Sequence, residues 1–247
     1  MPFGTFRATA LPLALLAIWI SPWQRPAALP MPRLVLWAWE RPEDLRFIDP
    51  ATTGVAYLAA TVDLQPDGTA RVHARQQPLR VPSDTSRAAV VRIESPPRYQ
   101  FADPASLATI LAGIAQQPDI QALQIDYDAR ASERNFYRDL LADLRTRTTL
   151  PIGITALASW CAGDAWLQGQ PLSDAVPMFF RMGFRESKSM AVESRECTHS
   201  IGLSTDESWP EHRPIGLHPD ARIYVFNPHP WTSADYDRVV RRVKEWK

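Results

Sequence analysis

Short apolar, β-branched runs recur along this chain, and between them the apolar positions switch to a spacing of three and four. The runs are Leu34 to Trp39, Val55 to Thr61, Ala88 to Ile93, Ala122 to Tyr127, Ile152 to Ala156, Ala175 to Phe180, Ser200 to Leu203 and Arg222 to Phe226. Runs of this length with little polar alternation read as strands buried on both faces, as a parallel sheet requires. The segment Pro104 to Gln116 carries Leu107, Ile110, Leu111 and Ile114 on one helical face, with Asp103 placed to cap it and Pro104 in its first turn. Ser132 to Arg147 repeats the design with Phe136, Leu140, Leu141 and Leu144, Ser132 standing as its expected cap, and Ser233 to Trp246 does so with Tyr236, Val239, Val240 and Val243. Eight strands alternating with crossover segments predict an α/β fold of the (β/α)8 TIM-barrel kind. The alternative is an open doubly wound sheet, which the count of runs and the lack of a Gly-rich phosphate loop disfavour.

The stretch from Asp63 to Pro82 breaks this order. Pro66-Asp67-Gly68 is a turn signal, and Arg71-Val72-His73-Ala74 beyond it predicts an inserted hairpin after the second strand. The 23 prolines against 10 glycines point to rigid, elaborated loops, above all after the first and seventh strands. A length of 247 residues, 45% hydrophobic and 22% charged, suits one globular domain, expected over 31–247. Lys plus Arg equals Asp plus Glu at 27 each, so no basic field exists to draw in nucleic acid.

The first thirty residues differ from the rest. Arg7 precedes an apolar run from Ala8 to Ile20 that is too short and Pro-interrupted for a membrane span and reads as a signal-peptide core or N-terminal anchor. The expectation is an exported protein, periplasmic or anchored facing the periplasm, with membrane attachment only through this segment; the alternative is that Met31 is the true start. Cys161 and Cys197 are the two cysteines, either a disulfide of an oxidising compartment or a pair of thiols.

Chemistry concentrates where the fourth run ends, in Ile125-Asp126-Tyr127-Asp128. In a parallel barrel the working groups sit at the carboxyl ends of the strands. Asp126 and Asp128, two apart, fall on one face of a strand about 6 to 7 Å apart. In a confined lumen, burial and mutual repulsion raise the pKa of one such carboxyl group, which suits it to proton donation. The competing reading makes both solvated loop residues, with Asp128 a helix cap.

Gln121 to Asp128 resembles the strand-four signature of chitinase-like (family 18) glycoside hydrolases, in which spaced aspartates lead to a proton-donating glutamate. That resemblance implies Asp128 as the acid and Asp126 as the group that orients it. Here Gln121 and Gln124 replace the two earlier acidic positions, and the acid is one methylene shorter. Pro177-Met178-Phe179-Phe180-Arg181 is similar to that family's Met-x-Tyr-Asp segment, with Phe180 and Arg181 where the Tyr and Asp would hold an acetamido group, so the substrate-assisted route does not carry over. From Leu34 onward the chain is identified as a member of an uncharacterised bacterial family of glycosidase-like barrels, domain of unknown function 3142. The segments that carry this are Trp37-Ala38-Trp39-Glu40, Leu123 to Ala129, Thr155 to Cys161 and Val176 to Gly183.

Other strand ends supply partners. Arg92 and Glu94 share one face of the third strand, Glu40 ends the first, Arg181 ends the sixth, and Asp206 and Glu207 follow the seventh. A glycosidase needs a second carboxylate about 5 to 5.5 Å from the acid for retention, or about 6.5 to 9.5 Å for inversion, and Glu207 and Glu94 are the candidates. The competing role for each is a structural salt bridge with Arg92 or Arg181. Trp37, Trp39, Trp160, Trp231 and Tyr127 lie near strand ends and are candidate stacking surfaces for sugar rings, against ordinary core packing. No metal or other cofactor is expected: the histidines are scattered and no His-x-x-x-His or Cys-x-x-Cys spacing occurs. The function expected is a glycoside hydrolase acting on an extracytoplasmic or environmental polysaccharide by carboxylate acid catalysis, with Arg92 and Arg181 binding polar groups of the carbohydrate. The alternative is a catalytically inactive carbohydrate-binding barrel or an envelope scaffold.

Overall fold

Each of the eight apolar runs forms a strand in the computed structural model, which describes residues 1, 30–97, 103–181 and 191–246. In chain order the strands are β1 (Leu34–Ala38), β2 (Glu43–Asp44), β3 (Thr53–Leu64), β4 (Ala70–Ala74), β5 (Leu79–Arg80), β6 (Arg87–Glu94), β7 (Ala122–Asp126), β8 (Ile152–Leu157), β9 (Asp174–Met178), β10 (Ser200–Ser204) and β11 (Arg222–Phe226). Eight of them, β1, β3, β6, β7, β8, β9, β10 and β11, are hydrogen-bonded in that order, all parallel, and β1 closes the ring by pairing with both β11 and β3. The molecule is a closed eight-stranded parallel barrel. Closure leaves no open sheet among these strands, so the doubly wound alternative is set aside.

Residues two apart share a face, and the register shows which face. Val35 and Trp37, Ala56 and Leu58, Ala88 and Val90, Ala122, Val176, and Tyr224 and Phe226 pack together as the filled lumen, with Met31 packed against them. The opposite faces build two outer cores, one under α1 and α2 and one under α4 and the loops. Gly202 lies in the lumen beside Met178, its register partner; a Cβ there would stand 2.5 Å from Met178 Sδ and 3.3 Å from Phe226 Cε2. A shift of register between Leu58 and Ala60 re-aims the upper half of β3, so that Thr61 and Asp63 are in step with Arg92 and Glu94.

The helices are α1 (Pro104–Ile114), α2 (Arg134–Arg147), the single turn α3 (Ala158–Cys161) and α4 (Ser233–Glu245). Asp103 caps α1 as expected, accepting from the backbone N–H of Ala105 and Ser106. Ser132 does not cap α2. It lies inside a 3₁₀ turn, Ala131–Glu133, whose entry is closed by Glu133 Oε2 accepting from the Arg130 N–H at 2.6 Å. Among the described residues, long helices follow only β6, β7 and β11, so the regular strand-helix alternation expected from the sequence is only partly present. Over Ile201, Leu203, Ile223 and Val225 the outer core is completed by α4 together with Trp209, Trp231 and Trp246, Trp209 and Trp246 meeting with ring centroids 5.8 Å apart.

The expected hairpin is present. β4 runs antiparallel to β3 beyond a turn in which Gly68 takes φ 84° and Asp67 accepts from the Thr69 N–H and hydroxyl. Its far side is tied down at Glu40, which accepts from the backbone N–H of Gln76 and Gln77, and β5 pairs with β2. Cys161 and Cys197 are joined by a disulfide with Cα atoms 5.9 Å apart. The apolar run Ala8 to Ile20 lies outside the described residues, among which no helix is long and apolar enough to cross a membrane.

Candidate functional site at the barrel mouth

Arg92 and Asp126 are register partners at the carboxyl ends of β6 and β7, on the lumen face that Val90 and Ala122 occupy lower down. The alternation therefore carries an ion pair up out of an apolar lumen. Asp126 Oδ1 accepts from the Thr155 hydroxyl on β8 at 2.6 Å, and Oδ2 lies 3.5 Å from Arg92 Nη1. Arg92 Nε donates to Glu94. Arg92, Glu94, Asp126 and Asp128 line a cleft of about 130 Å³ together with Ile93, Ser95, Tyr127 and Arg130. One wall is braced from behind: Glu133, fully buried, accepts from the Ser95 hydroxyl at 2.8 Å, from the Arg130 guanidinium and from the Arg130 N–H.

Only 13% of the Asp126 side chain is exposed. Burial holds its carboxyl group above the ordinary carboxylate range; the Thr155 bond and the Arg92 charge oppose this, while the negative charges of Asp128 and Glu94 reinforce it. Asp128, one step further out, is exposed. Tyr137, on α2 behind the site, has a buried hydroxyl whose pKa is pushed well up by burial and then by the charges of Asp126 and Asp128. The site thus combines a shielded carboxyl group biased towards its protonated form, a second, exposed carboxyl group beside it, and a guanidinium engaged on both sides.

Five of the sequence candidates, Arg92, Glu94, Asp126, Tyr127 and Asp128, line the cleft, and the others lie elsewhere. Glu94 is in the cleft but engaged by Arg92, which is the salt-bridge role weighed for it. Glu207 follows β10 and accepts from the Arg181 backbone N–H at 2.9 and 3.1 Å; the partner is the main chain of Arg181, whose side chain is exposed. It does not line the cleft. Arg181 itself holds φ 55°, a left-handed conformation that the two bonds to Glu207 support.

The expected aromatic contacts need correction. Trp37, Tyr127, Trp160 and Trp231 are all buried, at 0%, 1%, 2% and 5% exposure, and have no free ring face for a sugar. Trp37 fills the lumen against Phe226; Tyr127 and Trp160 belong to the core under α2; Trp231 donates its indole N–H to the Trp37 carbonyl. A strand alternates faces, so Tyr127 between two mouth-facing aspartates must point outward to the helix layer. Trp39 alone of the five remains partly open, at the end of β1. Thr155, Ser95, Arg130 and Glu133 were missed. Thr155 could have been found, since it lies one lumen-facing position before the end of its run; the others depend on loops meeting across the cleft.

Among the described residues, no group of three or more His, Cys, Asp or Glu side chains could hold a metal ion. The chain matches no protein-family model, no curated protein and no solved structure.

Proposed function

We propose that this chain is a glycosidase-like (β/α)8 barrel, exported to the periplasm or beyond, that hydrolyses a glycosidic bond in the mouth between β6 and β7. The observation that supports the reading best is the buried Asp126, biased towards protonation, directly beside the exposed Asp128 at the end of a barrel strand. In this reading Asp128 gives its proton to the leaving oxygen as the bond from that oxygen to the anomeric carbon breaks. Asp126 sets the field in which Asp128 works, Arg92 binds a polar substrate group, and Glu94 takes a proton from the water whose oxygen bonds to the anomeric carbon. The disulfide accords with export, since such bonds persist in oxidising compartments.

The full chain, incubated with amino-sugar, uronic-acid and neutral glycans, is expected to release new reducing ends from one class. Asp128→Asn should lower that rate by about 10²- to 10⁴-fold, the usual worth of a positioned acid, with the thermal midpoint close to wild type. Undiminished turnover in this variant sinks the assignment.

A second reading is a noncatalytic carbohydrate-binding barrel. It is favoured by the Arg92 bond that occupies Glu94 and by the placement of Glu207 outside the cleft. Binding to a glycan of the panel without any product selects it.

A further inference from the structure

The cleft holds only about 130 Å³, below the roughly 300 to 1,000 Å³ of sites that enclose a whole small ligand. A ligand seated there must lie along the mouth as well. The neighbouring surface is apolar. Thr155 faces Asp126, so Leu157, two residues on, belongs to the same face of β8, and it is 42% exposed. Its register partner is Met178 on β9, half-buried, which abuts Phe226 across Gly202. Phe180 continues the same face of β9 with its ring 4.7 Å from Phe226, and Trp39 follows at 6.3 Å from that ring. Phe180 and Trp39 are half-buried.

Leu157, Met178, Phe180 and Trp39 form a crescent from the strand next to Asp128 round to β1, and the buried Phe226 is the floor beneath it. Scattered exposed apolar residues need no explanation, but a contiguous patch at a barrel mouth marks a binding surface. The crescent supplies CH groups and aromatic faces with few polar partners: Ser204 at the end of β10 is committed to Asp206, and the Asn227 carbonyl oxygen after β11 to Thr205 and His229. A sugar ring laid there would leave hydroxyls poorly paired, whereas a hydrocarbon chain brings none.

We infer that the crescent of Leu157, Met178, Phe180 and Trp39, floored by the buried Phe226, is an apolar subsite for an alkyl or acyl chain attached to the sugar held in the cleft. The inference rests on the reading of the cleft as a glycan site and names the class of its ligand, an acylated glycan or glycolipid.

The test uses the full chain and calorimetric titration with glucose and with octyl, decyl and dodecyl glucosides below their micelle concentrations. Affinity should rise roughly twofold to fourfold for each methylene that enters the crescent. Leu157→Ser, at an exposed position, should flatten the chain-length dependence with no change in thermal midpoint, and Trp39→Ala should flatten it independently. Affinity that ignores chain length overturns the proposal, as does a dependence that survives intact in both variants. The two readings fail separately: Asp128-dependent turnover without any chain-length effect removes only the apolar subsite, whereas a chain-length effect with no turnover on any glycan removes the hydrolase and keeps the subsite.

Discussion

Opposing influences meet at Asp126. Desolvation favours its neutral form, and one hydroxyl and one guanidinium pull the other way. Thr155→Val removes the hydroxyl without changing the shape of the side chain much, so the Asp126 pKa should rise further, which a carbon-detected titration of the carboxyl group would register; an unchanged or lowered value contradicts the account. The consequence for stability has a definite sign. A carboxyl group whose pKa is raised by folding contributes stability below its unfolded value and loses it as pH rises through the folded value, so the variant should retain this contribution to higher pH. The sequence places Asp126 and Asp128 at a strand end because the apolar run leads straight into them. That one of the pair would be raised was legible; that it is Asp126 was not, since this depends on its burial, and the groups that oppose the rise, Thr155 and Arg92, lie 29 and 34 positions away.

At the scale of elements, the cleft wall depends on how the 3₁₀ turn ahead of α2 is held. Glu133 is the buried carboxylate that joins this turn to the loop after β6. Glu133→Ala removes the acceptor of the Ser95 hydroxyl, the Arg130 N–H and the Arg130 guanidinium, and should cost about 1 to 3 kcal/mol in denaturant unfolding. It should also weaken any ligand bound in the cleft, because Ser95 and Arg130 line it; a variant as stable as wild type would show that the loop is held otherwise. The three long helices were readable because their apolar spacing is local. The loops after the first and seventh barrel strands were readable from their prolines; the packing of Trp209 against Trp246 was not, since the two lie 37 positions apart.

Two features stabilise the molecule as a whole. The disulfide spans 36 residues of sequence, and closing a loop of that length removes enough freedom from the unfolded chain to be worth about 4 kcal/mol. Cys161→Ser with Cys197→Ser should lower the urea unfolding free energy by roughly that amount; a loss below about 1 kcal/mol would show that the link is not formed in solution. At the amino-terminal end of the barrel, Asp174 is buried with Ser200 and Arg222 as partners, and burial raises its pKa to about 6. Its contribution is present below about pH 4 and is lost as pH rises through about 6, a change of about 3 kcal/mol by pH 7. Asp174→Asn should flatten this part of the pH profile of unfolding, and an unaltered profile would place the titration at another group.

What could be decided from the amino acids alone was everything that repeats at short range: eight buried runs, three amphipathic segments, a turn-bounded hairpin and a carboxylate pair at a strand end. Such signals are carried by neighbours two to four positions apart. Closure of the ring, the register that pairs Arg92 with Asp126, the burial of four of five candidate aromatics and the separation of Glu207 from the cleft came only with the tertiary structure. Each of these depends on which strand lies beside which, and on the side of a strand that a residue faces. Sequence spacing constrains such relations but does not by itself select them.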